Sequence, residues 1–157
     1  MIYEFCAENV TLLEKAMQAG ARRIELCDNL AVGGTTPSYG VNKAAVELAA
    51  NYDSTIMTMI RPRGGDFVYN ELEIAIMLED IRLAAQAGSQ GVVFGALTGE
   101  KKLDKPNLEK LIAASKGMEI VFHMAFDELS DDDQLEAIDW LSQAGVTRIL
   151  TRAGVSG

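Results

Sequence analysis

Cysteine and histidine are scarce in this 157-residue chain: Cys6, Cys27 and His123 are the whole supply. The two cysteines have neither CxxC nor CxH spacing, so spacing alone marks no metal motif. Excess positive charge is also lacking. The net charge of −9, with no basic stripe, argues against a partner bound through its phosphate backbone, so no nucleic acid is expected. No apolar run approaches the length of a membrane span, and no membrane partner is expected. Met1-Ile2-Tyr3-Glu4 lacks the charged start and apolar core of a secretory signal. These absences predict a cytoplasmic protein, in which Cys6 and Cys27 are thiols rather than a structural disulfide.

What is present is a repeat. Gln18-Ala19-Gly20 leads into Arg22-Arg23-Ile24-Glu25-Leu26, Gln86-Ala87-Gly88 into Gly91-Val92-Val93-Phe94, and Gln143-Ala144-Gly145 into Thr147-Arg148-Ile149-Leu150. Each copy has a helix end, a glycine at the helix stop, a short link and a β-rich strand. The copies lie about two βα units apart, each unit roughly 30 residues long. Strands over Ile2 to Cys6, Ser54 to Ile60 and Glu119 to Ala125 complete a count of six. Helices are predicted over Val10–Ala19, Asn42–Asn51, Glu71–Ala87, Asn107–Lys116 and Gln134–Ala144.

Strict β-α alternation implies a parallel sheet with right-handed crossovers. Glu4 and Cys6 alternate with Tyr3 and Phe5, and Glu25 and Cys27 with Ile24 and Leu26. Polar groups on one face of such strands suit a barrel interior better than a doubly wound sheet buried on both faces. The expected fold is therefore α/β of the TIM (β/α)8-barrel type, a single domain over residues 1–157. The pattern stops after about six parallel strands, two units short of a full barrel. A truncated form, an incompletely recorded sequence and an obligate assembly all fit that count.

Four features carry candidate chemistry. Glu4-Phe5-Cys6 and Glu25-Leu26-Cys27 repeat a Glu-x-Cys order on sequential strands, which are neighbours in a barrel. Two soft sulfurs suit Cu(I); the same cysteines also fit as small core residues. Ile60-Arg61-Pro62-Arg63-Gly64-Gly65-Asp66 ends the third strand with two guanidinium forks, which suit a carboxylate or phosphate, or serve as surface ion pairs. Either Arg61 or Arg63 is the expected partner of the flanked carboxylate Glu25. The long loop Asp28 to Gly40 carries Gly33-Gly34, whose amides can hold an anion, although no Walker Lys-Ser/Thr follows. Phe122-His123-Met124-Ala125-Phe126-Asp127 closes the fifth strand, and alternation places His123, Ala125 and Asp127 on one face. His123 is a natural acid–base group at such a position, or a hydrogen-bonded core residue. Met57 and Met59 read as core filling.

Taken in order, Arg23-Ile24-Glu25-Leu26-Cys27, Gly33-Gly34-Thr35-Thr36-Pro37-Ser38, Ile60 to Phe67, Gly91 to Leu97 and Phe122 to Asp127 resemble the CutC family, named for copper homeostasis. The resemblance covers nearly the whole chain. It implies a TIM barrel, a cytoplasmic location, an association with copper, and Cys6 and Cys27 as ligand candidates. It delivers no reaction. Two positions depart from the family pattern: Met124 stands where an arginine is expected, and Arg152-Ala153 where Ser-Gly is usual. Arg152, on the adjacent strand, is a candidate substitute for the missing cation.

Two functional expectations follow. The first is a copper homeostasis protein that binds Cu(I) at Cys6 and Cys27. The alternative is a TIM-barrel enzyme acting on a small anionic metabolite. In it, Arg61, Arg63, Gly33 and Gly34 hold the anion, and Glu25, His123 and Asp127 supply acid–base groups. An incomplete barrel also leaves strand edges free to pair, so a homo-oligomer is expected.

Overall fold

Short strands rich in β-branched and apolar residues alternate with helices that each bury one face, and this alternation builds the observed architecture. A computed structural model describes residues 1–152; Ala153, one of the two departures from the family pattern after Thr151, lies outside the described residues. The strands are β1 (Glu4–Glu8), β2 (Arg23–Cys27), β3 (Thr55–Met59), β4 (Gly91–Phe94), β5 (Glu119–Phe122) and β6 (Arg148–Ile149). The helices are α1 (Leu13–Gln18), α2 (Tyr39–Ala50), α3 (Glu71–Ala87), α4 (Lys105–Ala114) and α5 (Asp131–Ala144). Every strand pairs in parallel with its sequence neighbour, in the order β1-β2-β3-β4-β5-β6. The six strands curl into part of a TIM-type barrel with the helices outside. No helix among the described residues is long and apolar enough to cross a membrane.

Capping residues set the helix bounds. Asn70 accepts from the Glu73 N–H at 2.9 Å, while Glu73 Oε2 accepts from the Asn70 N–H at 3.0 Å, a reciprocal box that starts α3. Ser130 Oγ accepts from the Asp133 N–H and starts α5, with Asp131, Asp132 and Asp133 as its acidic first turn, as the Ser-Asp-Asp-Asp run indicates. At the other ends, Gly88 and Gly145 adopt φ of 95° and 99°, a conformation that ends the helix and that other residues adopt only with strain.

The period of two along each strand divides the sheet into two faces. Ile24, Leu26 and Ile56 pack outward with Leu13, Met17, Ala45 and Ala49. Val92, Phe94, Ile120 and Phe122 pack outward with Met77, Ile81, Leu108 and Leu111. The inner face holds a thin apolar group of Cys27, Met57, Met59, Val93 and Val121. Met57 and Met59 are therefore core filling, as expected.

Three local differences from the sequence reading bear on the site. β1 runs from Glu4 to Glu8, with Ile2 and Tyr3 exposed before it. α1 is cut to Leu13–Gln18 because Leu12 adopts a left-handed φ of 59°. β5 stops at Phe122: His123 Nδ1 accepts the Ala125 N–H at 3.2 Å and caps a 3₁₀ turn over Met124–Glu128. Strand alternation therefore does not extend to Asp127, and the expected shared face of His123, Ala125 and Asp127 is not formed.

Candidate functional site

The strand register decides how the two Glu-x-Cys segments meet. Cys6 lies opposite Glu25, and Glu8 opposite Cys27. The cysteines are therefore diagonal neighbours, with the Glu25 carboxylate between them. Glu25 Oε1 accepts from Cys6 Sγ and from Cys27 Sγ, each at 3.8 Å. All three potential ligand atoms lie within 4.8 Å of one another. Cys27 and Glu25 are buried, and Cys6 is exposed, so the group is open on one side.

The electrostatics of this group follow from burial and from the closeness of its three members. Burial raises the Glu25 pKa, and the nearby Glu4 carboxylate adds to the rise. Cys6 is lowered, chiefly by the Cys27 thiol, whose proton turns from Glu25 to Cys6 when Cys6 ionises. Cys27 is pushed up by holding that proton and by burial. Among the described residues no ion pair reaches Glu25. This corrects the expected pairing with an arginine: register sets thiols beside the carboxylate, and both arginines are engaged elsewhere.

The loop after β2 covers this group. A Cβ on Gly34 would lie 3.0 Å from Cys27 Sγ and 3.3 Å from its Cβ, and Gly34 has φ of +93°. Both space and backbone conformation require glycine there. Arg61 ties the same loop to the end of β3. Its Nη1 donates to the carbonyls of Val32 at 2.6 Å and Gly34 at 3.0 Å, and its Nη2 to that of Gly65 at 2.8 Å. A Cβ on Gly33 would meet Arg61 Nη1 at 3.2 Å and Met124 Cε at 3.1 Å. Gly33 and Gly34 thus act through close approach to side chains, and the Gly34 carbonyl is what Arg61 grips.

Arg63 has a different part. Its Nε donates to Glu73 Oε1 at 2.6 Å, and its other nitrogens reach Asp66 and the carbonyls of Gly64 and Val68. Bonding to Glu73 and Asp66 raises Arg63, and bonding to Arg63 lowers Glu73. Arg63 fastens its loop to the start of α3 with all three nitrogens engaged.

His123 projects from the end of β5 over Gly95. A Cβ at Gly95 would lie 2.7 Å from His123 Cε1 and 2.9 Å from Nδ1. The missing side chain is what lets the imidazole lie across β4 toward β3. There it meets Phe67, with ring centroids 5.0 Å apart, and Phe67 in turn carries the Arg61 guanidinium 5.1 Å from its centroid. Burial, then the charge of Arg61, lowers the His123 pKa to about 3. Because Nδ1 accepts the Ala125 N–H, the proton of the neutral ring is on Nε2. Near neutral pH the ring is neutral and its Nε2–H is a hydrogen-bond donor.

Asp127 lies with the chain after β6. It accepts from Thr151 Oγ1 at 2.6 Å and from the Arg152 N–H at 3.0 Å. Arg152 Nη2 reaches Met124 Sδ at 3.6 Å, so the two departures from the family pattern are in contact. The structure thus gathers Cys6, Glu25 and Cys27 into one group, and Arg61 and His123 around Phe67 into another. Arg63 and Asp127 hold loops. Glu25 as a thiol neighbour was signalled by Glu-x-Cys, which puts both residues on one face. Gly95 and Phe67 had no such signal.

Comparison with known proteins agrees with this fold. The model of the CutC family matches residues 1–156. The family protein CutC of Enterococcus faecalis is 54% identical over 157 residues, covering all of this chain and 75% of that protein. The one from Bacteroides thetaiotaomicron is 42% identical over 149 residues, 95% of this chain and 58% of that protein. The crystal structure of a proposed copper homeostasis protein CutC from Streptococcus agalactiae superposes with a TM-score of 0.95 at 48% identity, over 99% of this chain and 74% of that one. A Schiff base-forming fructose-1,6-bisphosphate aldolase shares the fold alone, with a TM-score of 0.65 at 18% identity over 88% of this chain and 53% of that one. On the matched family model, the relatives and the shared fold, the chain belongs to the CutC family.

Proposed function

We propose that this chain is a cytoplasmic copper-handling protein that holds Cu(I) between Cys6 and Cys27. The observation that carries the reading is the clustering of two thiols and a buried carboxylate within 4.8 Å on neighbouring strands. Thiolates are the preferred ligands of Cu(I), and a reducing compartment keeps both thiols available. The copper homeostasis named for the Streptococcus agalactiae relative supports the same assignment.

The arrangement also fits a loading step. Cys6 is exposed and meets the incoming ion first; Cys27 completes a two-sulfur site beneath the Gly34 loop. Each bound thiol gives up its proton as the metal replaces it. Glu25, 3.8 Å from both sulfurs, is the nearest proton acceptor, and once protonated it adds no charge to the two thiolates that hold the cation. Competition with a Cu(I) chelator tests the assignment. The wild-type chain is expected to retain one Cu(I), and the Cys6→Ala, Cys27→Ala variant to release it. Equal retention by both proteins rejects the site.

A further inference from the structure

We propose that Arg61 and His123 form a second site, at the C-terminal ends of β3 and β5, for a small oxyanion: a phosphate or carboxylate group. This goes beyond the copper reading and uses none of its ligands. The motivating observation is a pair of buried donors without acceptors. Arg61 is 3% exposed and His123 0% exposed. Arg61 Nε and His123 Nε2 each lack a hydrogen-bond partner among the described residues. A buried donor left unmade costs about 1–3 kcal/mol, and more when charged, so native proteins rarely keep two together.

The surroundings specify what fills the gap. Both atoms are donors, so the missing partner is an acceptor. Arg61 makes no ion pair among the described residues; its other two nitrogens are held by backbone carbonyls, which leave its positive charge uncompensated. An anion supplies both the acceptor and the charge. The side chains are neighbours: Gly95 lets His123 lie across β4, Phe67 contacts both the imidazole and the guanidinium, and the Arg61 charge acts on His123. Phe67 gives the site an apolar wall, which strengthens any charge–charge contact beside it. The buried Tyr69 hydroxyl meets no full hydrogen-bond geometry, yet it lies close enough to Arg61 for a weak side-chain hydrogen bond as well as the charge to act on it. Met124 closes the rim beside Arg61, and Arg152, in contact with Met124, is the next cation outward. The strand ends that carry Arg61 and His123 are where barrels of this type bind ligands.

His123 is the chain's single histidine, so its imidazole resonances report on this site without ambiguity. The test is an NMR titration of the full chain at pH 7. One arm uses inorganic phosphate, a second malonate, and a third sodium chloride at matched ionic strength. The site predicts a saturable shift of the His123 Nε2 resonance with phosphate, with malonate or with both. The responding arm identifies the phosphate or carboxylate class. In the Arg61→Lys variant, which keeps the charge and loses the Nε donor, the response is expected to weaken at least tenfold. Should that variant fail to fold, the wild-type titration decides alone. Phosphate and malonate curves that merely follow the chloride curve overturn the proposal.

Discussion

Replacing His123 with glutamine removes one specific component from the pH dependence of folding. The folded protein holds His123 at a pKa of about 3, through burial and the neighbouring Arg61 charge; an unfolded chain restores it to about 6.5. Above pH 6.5 the ring is neutral in both states and contributes no pH dependence. As pH falls below 6.5 the unfolded chain takes up a proton that the folded chain refuses, so folding stability is lost down to the folded pKa. The slope approaches about 1.4 kcal/mol per pH unit, and the loss between pH 6.5 and 4.5 is roughly 2 kcal/mol. Glu25 works in the opposite sense: its raised pKa adds stability as pH falls. That contribution is common to both proteins and cancels in the comparison. Urea unfolding followed by the fluorescence of Trp140, the single tryptophan, measures the difference. The wild type is expected to lose about 2 kcal/mol more than His123→Gln over this range, whatever constant offset the substitution introduces. Parallel pH profiles would refute the buried, neutral imidazole.

Other expectations follow from close contacts and caps. Gly34→Ala puts a Cβ 3.0 Å from Cys27 Sγ at a φ of +93°; it is expected to cost about 2 kcal/mol in a melt and to weaken Cu(I) retention. Asn70→Ala breaks the capping box of α3 and should cost about 1 kcal/mol with no effect on copper.

Much of the fold was legible because it rests on local chemistry. α3 has the expected bounds, since the Asn70–Glu73 box and Gly88 lie in the sequence itself. Six parallel strands follow from the repeat, and the shared face of Glu25 and Cys27 follows from a period of two. What depended on pairing between distant segments was not legible. Nothing local sets Cys6 opposite Glu25 rather than Cys27; register comes from the packing of whole strands. Glu25 was expected to meet an arginine because both stand at strand ends, yet Arg61 is drawn to loop carbonyls and Arg63 to Glu73. The end of β5 was misplaced because a histidine normally continues a strand, whereas His123 bonds back to Ala125 and turns the chain.

As proposed, Cu(I) is held by the sulfurs of Cys6, midway along β1, and Cys27, at the end of β2. X-ray absorption at the copper edge of the Cu(I)-loaded chain tests it most directly. Two sulfur scatterers are expected in the first shell, both lost in the Cys6→Ala, Cys27→Ala variant. A shell of nitrogen and oxygen alone, or a sulfur shell that survives the double substitution, would contradict it.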